Sequence, residues 1–441
     1  MSDRALVLDG QTNQALACVR SLGRAGYDVL VAATRRRPLA SWSRFSRGRF
    51  PLEGETPEAF AALRRWASAR GVTLVLPLTE RSCVLCNLER SAWEDAGITV
   101  GSAPADLLAL AFDKARTFEL AQAAGVAIPP TRLPTSAAEA RTAAEEVGYP
   151  CVVKSRFSNA WDGARFLPDP GTSYVRQPEE LDAAVASHRQ GGHWPLIQGF
   201  VPGQGKGVFA LFDSGRPVAW FAHERLRDVR PSGSGSSLRR SAALEPRLLQ
   251  PAERLLTAMA WHGPAMVEFR DDGVHAPALM EVNGRFWGSL QLAVSAGADF
   301  PRWWAAILRG QPVERRTSYA TGVTVRWVWG DVKRFLYILA GAPAGYPGRY
   351  PTVLQGLREL LGRQPPGTRS EAWQPDDRWP VLGEWVQGLG DLLGGRRGRG
   401  RAASAAADDA TAAAPALEPP VGDATAPPPG EQAVHAADER K

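Results

Sequence analysis

Two runs in the middle of the chain, Met266-Val-Glu-Phe-Arg270 and Leu279-Met-Glu-Val-Asn-Gly-Arg285, each set a glutamate inside an apolar, strand-prone stretch. The polar segment 271–277 between them, with Gly273 and Pro277, suits a loop joining neighbouring strands. Residues paired across such an antiparallel hairpin have a constant sum of positions. With the loop centred near Val274 and His275, Glu268 falls opposite Glu281. The strand period of two then puts Glu281, Asn283 and Arg285 on one face and Val282 on the other. Carboxylates directly opposite each other destabilise a sheet. A divalent cation relieves that repulsion. The hard oxygens of Glu268, Glu281 and the Asn283 amide suit Mg²⁺, which shares its shell with phosphate oxygens and water.

Composition narrows the reading. A chain of 441 residues, 44% hydrophobic and 22% charged, can bury a core and suits two or three units. Gly, Pro or Arg breaks every apolar stretch well before the roughly 20 residues of a membrane span. Asp3 and Arg4, ahead of the first apolar run, argue against a signal peptide. Four cysteines (Cys18, Cys83, Cys86 and Cys151) in so long a chain make no disulfide framework, which fits a reducing cytoplasm. Cys83-x-x-Cys86 lacks a second pair and lies among Val84, Leu85 and Leu88, so core packing accounts for it. The net charge is +6, but the arginines are dispersed apart from runs at 35–37 and 396–401, and nucleic acid is not expected as a partner. Only five of the 52 basic residues are lysine: Lys114, Lys154, Lys206, Lys333 and Lys441. A lysine kept in an interior-looking segment of such an arginine-rich chain points to a need for a compact, mobile point charge.

Along the chain, 4–9 reads as a strand, 13–25 as a helix stopped by Gly26, and 28–33 as a second strand, with further strands at 73–77 and 98–100. This alternation predicts an open parallel α/β sheet, Rossmann-like in the broad sense. The first turn has one glycine and no Gly-x-Gly-x-x-Gly, which sets a nicotinamide dehydrogenase aside. Asp113 N-caps a helix through Ala124, with Gly125 behind it. A helix over 136–147, strands at 149–154, 195–200, 207–213 and 217–223, a Gly/Ser-rich loop at 231–237 and a helix over 251–261 follow. Residues 320–395 read as α-rich, with Trp327, Trp329, Trp373, Trp379 and Trp385 taken as core. Beyond 396 the Arg-rich, then Ala/Pro/Asp-rich composition predicts a disordered tail.

Glu268 with Glu281-Val-Asn-Gly-Arg285 resembles the metal-binding signature of the ATP-grasp superfamily. The resemblance extends in order over residues 4–310, through Asp113-Lys114, Tyr149-Pro-Cys-Val-Val-Lys154 and Leu196-Ile-Gln-Gly-Phe-Val-Pro-Gly203. It is nearest to carboxylate–amine ligases with a carbamoyl-phosphate-synthetase-like core. It implies an N-terminal Rossmann-like unit (1–105), an ATP-grasp unit (106–318, flap subdomain about 128–200), an α-rich C-terminal appendage (319–395) and a tail (396–441). It further implies that Lys114 and Lys154 contact the α- and β-phosphates, and that Gln198, Gly199 and Val201 form the adenine-holding hinge. Glu268, Glu281 and Asn283 would ligate Mg²⁺, with Mn²⁺ an alternative, and Arg285 would steady the γ-phosphate or the tetrahedral intermediate. Segment 155–165 would be the flap over the triphosphate, with only Gly163 for flexibility. Gly199 stands where an acidic residue is usual, so a backbone carbonyl would serve, and Gln204 or Lys206 would replace a ribose-binding carboxylate.

From the residues alone, Arg225, in a basic group feeding the 231–237 loop, is the candidate for gripping a substrate carboxylate or acyl phosphate, and Glu80 for an amine. The expectation is a cytoplasmic Mg²⁺- and ATP-dependent ligase of small-molecule carboxylate and amine substrates, with homo-oligomerisation allowed. The alternatives are a bicarbonate-dependent carboxylase and a non-catalytic ATP-binding scaffold or sensor.

Overall fold

The computed structural model describes residues 3–342 and 349–394; the tail expected from 396 lies outside the described residues. The chain opens as an alternating α/β unit: β1 (Arg4–Val7), α1 (Asn13–Arg24), β2 (Asp28–Ala33), β3 (Ser46–Pro51), α2 (Pro57–Ser68), β4 (Leu74–Leu76), α3 (Glu80–Leu88), α4 (Arg90–Asp95) and β5 (Thr99–Val100). All five strands are parallel, in the order β3-β2-β1-β4-β5. The central strands are buried on both faces, which is why their sequences run apolar without alternating. Thr12 caps α1 by accepting from the Ala15 amide, and Gly26, at φ +93°, turns the chain out of the helix.

Helices α5 (Ala105–Phe112) and α6 (Lys114–Ala123) lead into a small sheet of β6 (Thr131–Arg132), β7 (Cys151–Lys154), β8 (Thr172–Val175) and β9 (Leu196–Gly199). Its order is β6-β9-β7-β8, and α7 (Ala137–Val147) and α8 (Leu181–Ser187) pack with it. Then come β10 (Gln204–Asp213), β11 (Arg216–Arg230), β12 (Ser234–Ala242), α9 (Pro246–Ala258), β13 (Gly263–Asp271) and β14 (Ala278–Asn283). Helices α10 (Leu290–Ser295) and α11 (Phe300–Leu308), β15 (Thr324–Arg326), α12 (Val328–Ala340), α13 (Val353–Leu361), β16 (Arg369–Ser370) and α14 (Pro380–Gly394) finish the described chain. The large sheet runs β14-β13-β10-β11-β12-β15-β16, antiparallel except at its last pair.

Strand alternation gives this sheet two working faces. Val208, Ala210, Phe212, Val267 and Phe269 pack with α5, α6 and α9. Phe209, Leu211, Phe221 and Met266 join a core that also contains α1, α10, α11 and the first sheet. The α/β unit and the large sheet therefore share one apolar interior.

Three expectations are corrected. Segment 231–237 is not a loop: β11 continues to Arg230, the turn is confined to 231–233, and β12 begins at Ser234. Two register shifts near Arg227 accommodate the small residues, and Ser237 packs so closely that a Cβ on Gly330 would come within 3.1 Å of it. Helix α9 begins five residues before Pro251, with Pro246 in its first turn, and tolerates the second proline inside. Trp327 and Trp329 are buried, whereas Trp373, Trp379 and Trp385 are exposed.

The α-rich C-terminal segment is stitched into both preceding units. It contributes β15 and β16 to the large sheet, and α14 packs on the turn Leu39–Trp42. Its main tie is Arg20 of α1, fully buried, 2.8 Å from Asp377, with further bonds to the Glu371 and Ala372 carbonyls. Removing one partner of a buried pair strands the other charge. Arg20→Met is expected to cost about 3–5 kcal/mol, measured by urea unfolding followed through tryptophan fluorescence. A loss no larger than the roughly 0.5 kcal/mol of a surface change would mean that this tie does not hold the unit.

Candidate active site

Glu268 and Glu281 face one another in the β13–β14 register, with an irregularity just beyond, between Glu268 and Phe269. The row continues across the sheet through Gly207, His223 and Ser241. Glu268 is buried; its Oε1 lies 3.6 Å from Arg225 Nη2, and its Oε2 has no hydrogen-bond partner. Burial raises the Glu268 pKa, Arg225 opposes the shift, and the Glu281 charge adds to it. Asn283 Nδ2 donates to Glu281 Oε1 at 2.8 Å, and Arg285 donates to Asn283 Oδ1 at 3.4 Å and to the Phe286 carbonyl at 3.0 Å. Glu281, Asn283 and Arg285 therefore form one continuous polar ladder.

Lys154, at the end of β7, belongs to the other sheet but faces this group. The residue is half-buried, and its ammonium is strongly desolvated. Burial lowers its pKa to about 8; Glu281 and Glu268 oppose the shift, and Lys114 and Arg270 reinforce it. Lys114, the first residue of α6, donates to Ser158 Oγ at 2.8 Å. Next to it, Asp113 accepts two bonds from Arg156 at 2.8 and 2.6 Å, so the start of α6 clamps the root of segment 155–165.

The rest of that segment lies against the first unit. Asn159 Nδ2 donates to Glu80 Oε2 at 2.9 Å, and Arg81 Nε donates to Asn159 Oδ1 at 2.8 Å. Trp161 and Phe166 pair at 4.8 Å between ring centroids and pack on the α/β core. Glu80, expected to face an amine, holds the segment instead. Sequence reasoning misses Arg81 and Asn159; the one available signal is that asparagine is scarce, with four in the chain.

At the hinge, Gln198 Nε2 donates to Thr131 Oγ1 at 2.9 Å, while its buried Oε1 has no partner. The Gly199 amide donates to the Pro130 carbonyl at 2.8 Å, so its N–H is committed within the sheet and only its carbonyl is left for the expected adenine contact. The register that pairs Thr131 with Gln198 sets Pro130 opposite Gly199, and proline has no N–H to return the second bond. The ladder thus leaves the Gly199 carbonyl without a donor from that strand. A Cβ at 199 would meet the Pro130 ring at 3.3 Å, a crowding that disfavours the usual acidic residue. Val201, half-buried, lies in the link between β9 and β10. Lys206, offered for the ribose, is held by Glu245 at 2.9 Å and Asp271 at 3.0 Å, and Gln204 is exposed.

Beyond the pair Gly207–His223, β10 and β11 part, opening a cavity of about 560 Å³ lined by Gly205, Gly207, His223, Arg225, Met266 and Arg270. Burial first, then Arg225 and Arg239, push the His223 pKa down to about 3, so this imidazole is neutral at physiological pH. Among the described residues no group of three or more His, Cys, Asp or Glu is placed to hold a metal. A cation at the glutamate pair would need the Asn283 amide and oxygens from elsewhere.

Residues 196–330 match the model of a family described as ATP-grasp in the biosynthetic pathway with Ter operon. Among solved structures, the chain is similar to biotin carboxylase from Campylobacter jejuni in its β,γ-ATP complex, at 16% identity and TM-score 0.57, over 73% of this chain and 74% of that one. It is similar to the biotin carboxylase domain of 2-oxoglutarate carboxylase from Hydrogenobacter thermophilus, solved with MgADP, ADP and bicarbonate, at 17% identity and TM-score 0.57, over 74% of each chain. It is also similar to N5-carboxyaminoimidazole synthetase from Staphylococcus aureus, at 13% identity and TM-score 0.56, over 74% of this chain and 82% of that one. No curated protein matches the sequence. The chain has the ATP-grasp fold.

Because folding lowers the Lys154 pKa, the folded chain binds fewer protons than the unfolded one from about pH 8 up to the ordinary lysine value of 10.5. Its contribution to stability therefore rises with pH across that window. NMR of ¹³C-methylated lysines is expected to show one group titrating near 8, absent in Lys154→Arg and moving upward when MgATP is added. Ordinary titration of every lysine would contradict the buried position.

Proposed function

We propose that the chain is a Mg²⁺- and ATP-dependent ligase that phosphorylates a small carboxylate and joins it to an amine, releasing ADP and phosphate. The observation that carries this reading is the opposed pair Glu268–Glu281, the first buried and the second half-buried, with Lys154 in electrostatic reach of both. The unpartnered Glu268 Oε2 fits a hard cation, which Glu268, Glu281 and the Asn283 carbonyl oxygen would hold. Mg²⁺ bound there would neutralise charge on the transferring phosphoryl group.

The remaining work falls to the chain's own side chains. Lys114 and Lys154 place two point charges against the phosphates. Gln198, the Gly199 carbonyl and the Val201 backbone meet the adenine edge. A carboxylate oxygen attacks the γ-phosphorus, its bond to the β–γ bridging oxygen breaks, and ADP leaves. The amine then attacks the acyl carbon, the bond to phosphate breaks, and the amine proton passes to solvent or a base. Arg285 steadies the charge that develops, and Arg225, partly screened by Glu268, holds the substrate carboxylate in the cavity where β10 and β11 part. Docking of 155–165 on α3 keeps water from the reactive acyl phosphate.

In this reading residues 1–105 and 319–395 shape the substrate side, and 106–318 hold the nucleotide. The four cysteines are free and buried, and no helix of the described residues is long and apolar enough to cross a membrane; both fit a cytoplasmic enzyme. The names of the similar structures favour bicarbonate as a second candidate carboxylate.

Pairs of amino acids and small carboxylates are to be screened for ADP release, with Glu281→Ala as the blank. That variant is expected to lose about 100-fold or more, as when a preorganised charge partner is removed. Unchanged turnover in the variant refutes the metal assignment, and ADP release driven by bicarbonate without any amine selects the carboxylase.

A further inference from the structure

A second cavity, of about 730 Å³, lies between the first unit and the C-terminal helices. Its first wall is the turn after β1 with Gln11 and Thr12, together with Glu55 and Arg81; the second is Trp327, Trp329 and Lys333 of β15–α12 with Glu384 and Gly388 of α14. The walls are fastened together. Gln387 donates to the Gln11 carbonyl at 2.8 Å and accepts from the Leu39 amide at 3.1 Å. Gly388 admits Trp329, whose ring would lie 2.0 Å from any Cβ there. The cavity sits beside β15, four strands from Glu268, hence roughly 19 Å away at ordinary strand spacing.

Its charges do not cancel internally. Arg35 pairs with Asp391, and Arg81 with Glu55. Two ionisable groups of opposite sign remain, Lys333 and Glu384. Lys333 forms no ion pair among the described residues; its ammonium sits 5.0 Å from the centre of the Trp327 ring. Glu384 is only 5% exposed; its Oε1 and the Trp329 indole nitrogen have no hydrogen-bond partner, while the Trp327 N–H lies close enough to the carboxyl to favour its charged form. Burial and then Glu371 raise the Glu384 pKa to about 8, with the nearby Trp327 N–H, Lys333 and Arg20 opposing. A buried carboxyl oxygen without a partner costs free energy that a bound donor recovers. An ammonium against Glu384 supplies that donor and a counter-charge together.

We propose that this cavity binds a small zwitterion, an amino acid or short peptide, with its ammonium on Glu384 and its carboxylate on Lys333. The volume suits a ligand of that size. Arg81 lines the cavity and also holds Asn159 of the segment over the lysines, so an occupant shares a residue with that segment. The assignment stands on the cavity alone and does not require the ligase reading.

Tryptophan emission of the full chain without nucleotide provides the test, because two indoles line the site. The probes are the common α-amino acids and glycylglycine, with their N-acetyl forms and the matching primary amines as controls. At least one zwitterion is expected to give a saturable change, with its N-acetyl form and its amine at least about tenfold weaker. Glu384→Gln is expected to weaken the zwitterion about tenfold or more, and Lys333→Met to weaken it while leaving the primary amine unchanged. Should Glu384→Gln lose its cooperative melting transition, Lys333→Met with the amine control decides. Absence of a saturable response to every zwitterion, or wild-type affinity in a folded variant of either residue, overturns the proposal.

Discussion

Two like charges set opposite one another inside a sheet are the constraint around which the rest is arranged. Buried opposite Glu281, the Glu268 carboxyl ionises at a cost, and the neighbouring groups answer that need from several directions. Arg225 approaches from β11, Asn283 donates to Glu281 along β14, and Lys154 comes from the other sheet. None of these satisfies Glu268 Oε2. The fold has assembled a site whose own groups leave attraction for a cation, and nearby lysines whose attraction is for anions. The metal–polyphosphate of the proposed function would answer both.

The opposition of that pair is legible in the amino-acid sequence itself, because an antiparallel hairpin obeys simple arithmetic and apolar flanks show which face is buried. Scarcity makes the lysines legible: with arginine the general-purpose cation, Lys114 and Lys154 stand out, and one caps a clamp while the other faces the carboxylates. What local sequence does not carry is what joins distant segments. Arg20 looks like one more helix-face arginine until Asp377, far along the chain, closes on it. Glu80 follows a strand as a ligand-binding residue would, and its partner Asn159 is again remote. Local composition misleads at 231–237, where serines and glycines that suggest a loop lie largely in a strand whose neighbours have room only for small side chains.

The C-terminal segment changes what the first unit can do. The carboxyl ends of parallel strands are where open α/β sheets place their ligands. Here α14 and the Trp327–Trp329 pair wall part of that edge, turning an open crevice into a half-open chamber. Tying the wall through a buried ion pair makes the shape of the chamber depend on residues that never touch its contents.

In the proposed hinge, the position opposite Gly199 carries a consequence for base choice. Because an imino acid stands there, the glycine oxygen receives no bond from that strand and is left an acceptor with nothing to give. A base presenting an amino group finds a complementary partner, whereas one presenting an oxygen meets a second lone pair. Under that proposal, discrimination between adenine and guanine rests on the one amino acid in the ladder that lacks a hydrogen to offer.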